Sequence, residues 1–115
     1  TPLQALQLMK DAQHVEAARG LAERMLLEGG ADRTSQIQFA FQVILSRRPL
    51  QRETEVVAAQ WQQHLQRYQS DREAAEKLIA MGETQPAQGV DPSQLAAATL
   101  VANMLLNLDE TLTRN

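Results

Sequence analysis

Apolar side chains recur along this chain at helical spacing, three or four residues apart, and no segment shows the strict alternation of a half-buried strand. The opening Thr1-Pro2-Leu3-Gln4 places a hydroxyl cap before a proline at the first helical position. Gln4 is set to complete a capping box, so a helix is predicted from residue 2 to about 10. Its Leu3, Leu6, Leu8 and Met9 cover a wide arc, and a helix that short needs a docking surface. Asp11 caps a second predicted helix, with Val15, Ala18, Ala22, Met25 and Leu26 inward and Glu16, Arg19, Glu23 and Glu28 outward, stopped at Gly29-Gly30. The third, from Thr34 to Ser46, is apolar nearly all round through Ile37, Phe39, Ala40, Phe41, Val43, Ile44 and Leu45, and is predicted to be the central, most buried helix.

After the turn at Pro49, Val57, Trp61, Leu65 and Tyr68 form one stripe of a fourth predicted helix, which faces the core. Ser70 or Asp71 caps a fifth, carrying Ala74, Ala75, Leu78 and Ile79 and ending at Gly82. A loop broken by Pro86 and Gly89 follows. Asp91-Pro92 then repeats the opening device of cap plus proline. The last helix sets Leu95, Ala98, Ala102 and Leu105 on one stripe, with Val101, Met104 and Leu108 beside it. The predicted fold is all-α, one compact bundle of five or six helices with no sheet, over residues 1–115.

Composition agrees with that pattern: 43% hydrophobic and 22% charged residues suffice for one globular core at 115 residues. A net charge of −3 is the wrong sign for a phosphate-binding surface, so nucleic-acid binding is disfavoured; Arg47, Arg48 and Arg52 form the one local basic group and read as a solvated helix end. The absence of cysteine excludes a disulfide framework, a thiolate zinc site and haem attachment through Cys-x-x-Cys-His within the chain. No stretch reaches the roughly 18 apolar residues of a membrane span, so no membrane insertion is expected. A chain opening on Thr1 reads as a piece of a longer protein.

Chemistry-bearing residues are sparse. His14 and Glu16 stand two apart and diverge on a helix, unlike the i, i+4 pair of a zinc site. His64, three after Trp61, reads as a polar-tipped edge residue. Met25 and Met104 lie on apolar stripes, where methionine fills gaps. The neighbouring carboxylates Glu53 and Glu55, or Asp109 and Glu110, diverge too far for a shared acid–base site, and no Ser-His-Asp set can be assembled. No catalytic residue, cofactor or metal site is assigned. Asn103 and Asn107, four apart on one face, are the polar exception. A buried amide without partners costs about 1 to 3 kcal/mol, so they either tie the last helix to a neighbour or form a polar docking point.

The segments TPLQAL at 1–6, VEAARGLAERML at 15–26, FAFQVILSRRP at 39–49 and ANMLLNLDE at 102–110 together resemble the planctomycete-type PSD1 domain, also called DUF1553, over essentially the whole chain. Members usually carry Asn-Asp-Pro where this chain has Lys10-Asp11-Ala12, and an aromatic where it has Thr111; Asp11 keeps the cap. The resemblance implies the C-terminal portion of a large exported, extracytoplasmic protein that often carries a DUF1549 domain and, upstream, a cytochrome c domain. It transfers no catalytic residue. The expected function is a non-catalytic helical module for protein interaction with the upstream domains, with Leu3, Leu6, Leu8, Met9, Asn103 and Asn107 as candidate docking residues and the two chain ends close together. The alternatives are a saccharide or peptide binding module, for which one Trp and one Tyr make a poor stacking platform, or part of an enzyme site shared with the upstream domains.

Overall fold

The helix starts and stops are built from short-range chemistry that the structure, a computed structural model, shows atom by atom. It describes the backbone of residues 12–82 and 84–114, and side chains from 14 to 109 apart from 83. Five helices follow one another among these residues: α1 (Ala12–Glu28), α2 (Arg33–Leu45), α3 (Gln51–Ser70), α4 (Arg72–Ile79) and α5 (Pro92–Arg114), with no strand. The all-α reading holds, and a radius of gyration of 13.1 Å is that of a compact chain of this length.

Asp71 accepts the Ala74 N–H at 3.1 Å to cap α4, and Asp91 accepts the Gln94 N–H at 3.1 Å with Pro92 at the first helical position of α5. At the start of α3, Leu50 has no acceptor side chain, but Glu53 reaches back to accept the Leu50 N–H at 2.8 Å, which is half of a capping box. α1 closes with the Gly29 N–H donating to the Met25 carbonyl at 3.1 Å; a Cβ at Gly29 would strike that carbonyl oxygen, so the sharp exit towards α2 needs glycine.

α5 is the central helix and packs against all four others. Ser93, every residue from Leu95 to Asn103, and Leu105 are buried on it. This corrects the expectation that the 34–46 helix is the most buried, for α2 leaves Val43 41% exposed and Phe39 half-buried. The reason is size. Ala96, Ala97, Ala98 and Ala102 let neighbouring backbones approach α5 on several sides at once, whereas bulky residues all round a helix demand more partners than α2 has. Ser93 donates to the Tyr68 carbonyl at 2.9 Å and Thr99 to the Leu95 carbonyl at 2.7 Å, so α5's buried hydroxyls are satisfied.

The α3 stripe behaves as predicted: Val57, Trp61, Leu65 and Tyr68 are all buried, Trp61 completely. The Arg33 guanidinium lies 4.0 Å from the Trp61 ring centroid, a cation–π contact, and Arg33 also donates to Gln36 at 3.0 Å. No helix among the described residues is long and apolar enough to cross a membrane.

Candidate functional site

α1 carries the first polar constellation. Glu16, Arg19 and Glu23 share a face of that helix, and the sequence reading turned them to solvent. The structure turns them inward onto the loop after α4. Arg19 is only 2% exposed and donates to the carbonyls of Ile79 at 2.6 Å, Met81 at 3.3 Å and Thr84 at 3.0 Å, and to the Thr84 hydroxyl. Ile79 ends α4, so the guanidinium adds a charged donor to a free carbonyl at the last turn of this eight-residue helix, which already carries Lys77. Glu16 accepts from the Thr84 N–H at 3.3 Å and hydroxyl at 3.0 Å, and Glu23 accepts the Ala87 N–H at 2.7 Å while lying 3.8 Å from Arg19 Nε. Gly82, at φ +99°, completes the clamp because a Cβ there would collide with the Glu16 side chain. These bonds tie Ile79, Met81, Thr84 and Ala87 to α1 and take up both terminal nitrogens of Arg19, with its Nε alone left without a hydrogen-bond partner among the described residues.

A second constellation lies where α2, α3 and α5 meet. An open groove of about 230 Å³ has a floor of buried Phe41 and Val57 and half-buried Met104, with Val56 51% and Leu108 47% exposed at its margins. Two charged residues complete the lining. Glu53 is engaged by Arg47 through two bonds of 2.7 and 2.8 Å, and with the Leu50 N–H this holds its carboxyl well below the usual range, at about 2. Arg47 also lies 5.3 Å from the Phe41 ring centroid. Arg52, by contrast, is exposed and has no partner among the described residues. A separate recess of about 410 Å³, lined by Thr34, Gln38, Pro49, Gln51, Thr54 and Glu55, has walls of exposed or half-buried side chains and no buried charge to orient a ligand.

Of the docking residues predicted from sequence, Leu3, Leu6, Leu8 and Met9 lie outside the described residues, and with them the expected closeness of the chain ends. Asn103 is 3% exposed and its Oδ1 has no hydrogen-bond partner; Asn107 is half-buried and engaged. The groove was missed. Its signal was present in Met104 and Leu108, which flank the core stripe of the last helix, but only tertiary packing sets Phe41 and Val56 beside them.

No three His, Asp or Glu side chains converge among the described residues. Glu16 accepts from the Thr84 hydroxyl, and His14 Nε2 is buried without a hydrogen-bond partner among the described residues. Burial lowers the pKa of half-buried His64, with the nearby Arg67 charge acting in the same direction. Met25 is a core residue. Trp61 and Tyr68 are both buried, so neither presents a face on which a sugar could stack.

Neither curated proteins nor solved structures offer a match to this chain. A protein family does, over α1, α2 and the first half of α3, with the segment at 102–110 outside the matched span. That family is PSD1, described as a protein of unknown function (DUF1553); it matches residues 1–61, more than half of the 115 residues, and the chain belongs to it.

Proposed function

We propose that this chain is a non-catalytic helical module that docks against the domains preceding it in a longer, extracytoplasmic protein. The observation that carries this reading is the groove between α2, α3 and α5, where buried Phe41 and Val57 underlie half-exposed Val56 and Leu108. Apolar side chains gathered round a recess mark an interaction site, whereas the same residues scattered singly would need no explanation. The other conspicuous polar set, around Arg19, is consumed by the chain's own backbone.

The reading is tested with this chain and the preceding domains of its parent expressed separately. The expected result is a one-to-one complex in analytical ultracentrifugation, weakened at least tenfold by Val56→Asp or Leu108→Asp. These are exposed positions where the charge costs the isolated fold little. Failure of the two parts to associate at high micromolar concentration would reject docking.

A further inference from the structure

Resting on the docking reading, we infer that the groove between α2, α3 and α5 receives an amphipathic helix whose apolar stripe is flanked by acidic residues. Size is the first reason. At about 230 Å³ the groove falls below the roughly 300 to 1,000 Å³ of small-molecule pockets. It is wide enough for one or two apolar side chains, which is how a helix anchors in a groove, by residues at i, i+3 or i+4, and i+7.

Charge is the second. The groove has one lining carboxylate and one lining cation that could meet a partner. Glu53 is committed: Arg47 binds both of its oxygens and the Leu50 N–H binds one again. Arg52 has no partner among the described residues and projects from the first turn of α3, one helical turn before Val56. A partner that seats a leucine against Val56 and Leu108 therefore meets an unneutralised guanidinium at the margin. An acidic residue beside the stripe pairs with it, and a lysine there is repelled. The net charge of −3 makes this polarity local to the groove rather than general to the surface.

The test uses two synthetic helical peptides with identical leucine stripes, one flanked by Glu and one by Lys. Affinity is read by fluorescence anisotropy, and the site by methyl shifts of Met104 and Val56. The Glu peptide is expected to bind about fivefold or more tightly, as befits one exposed ion pair set against one repulsion. The preference should shrink with salt, vanish in Arg52→Gln and reverse in Arg52→Glu, with thermal melts of both variants unchanged. Equal binding of the two peptides at the groove, or a preference that survives Arg52→Gln, overturns the acidic partner and leaves docking standing. Binding of neither peptide overturns the helix-in-groove inference, whereas docking itself fails only if the parent's preceding domains do not associate with the chain.

Discussion

Arg19 and Arg52 are the same residue in two opposite situations. On α1, Arg19 is buried and engaged through both terminal nitrogens, its guanidinium spread over the carbonyls of Ile79, Met81 and Thr84. On α3, Arg52 stands exposed at the margin of an apolar groove with no partner among the described residues. The difference separates groups that hold the molecule together from groups left for something else. A charge whose hydrogen bonds are all intramolecular has little to offer a ligand, however unusual its burial. An unneutralised charge beside exposed apolar side chains has both specificity and area to offer. The clamp is therefore a matter of stability and the groove a matter of binding, and perturbations should sort accordingly.

The largest effect removes a core anchor that belongs to neither region but supports the bundle as a whole. Trp61→Ala, at a fully buried position under the Arg33 guanidinium, is expected to cost about 3 to 5 kcal/mol in denaturant unfolding. A loss below about 1 kcal/mol would mean that α3 does not depend on its stripe.

Next comes the clamp alone. Arg19→Ala leaves several loop carbonyls without their charged donor and is expected to cost about 3 kcal/mol. Its signature is regional: the Thr84 and Ala87 amides, held by Glu16 and Glu23, should exchange faster with solvent while those of α3 stay protected. Uniform acceleration across the chain would show that the clamp and the groove are not separable.

The smallest effect sharpens the groove side. Glu53 keeps its charge because Arg47 and the Leu50 N–H favour the ionised form, so its carboxyl carbon should titrate with a midpoint of about 2. The folded value lies below the unfolded one. The pair's contribution is thus present above the unfolded glutamate pKa and is lost as pH falls from there through about 2. Solvent exposure of both side chains keeps that contribution small. Arg47→Gln should raise the Glu53 midpoint towards the ordinary range, and no rise would remove Arg47 as the neutralising partner.

Most of this architecture was written locally. Asp71 and Asp91 cap helices because their carboxylates reach an N–H three residues on, and Val57, Trp61, Leu65 and Tyr68 share a stripe because a helix turns every 3.6 residues. Such features need only a few neighbours in sequence, and they were legible there. Arg19 was misplaced on the outside because its charge assigned it to solvent, although Val15 four before it and Ala22 three after it share its side of the helix. Nothing within a turn or two announces a loop arriving from far along the chain.

By itself, then, the sequence determined the helical class, the caps, the inward face of α3 and the kinship to PSD1. Tertiary structure alone decided that alanine-rich α5 rather than bulky α2 fills the centre, because close approach depends on which partners surround a helix and not on its hydrophobicity. It decided that Arg19 is interior, since the carbonyls that receive it lie 60 to 65 residues away. It also assembled the groove from Phe41, Val56 and Leu108, residues on three helices that no local period relates.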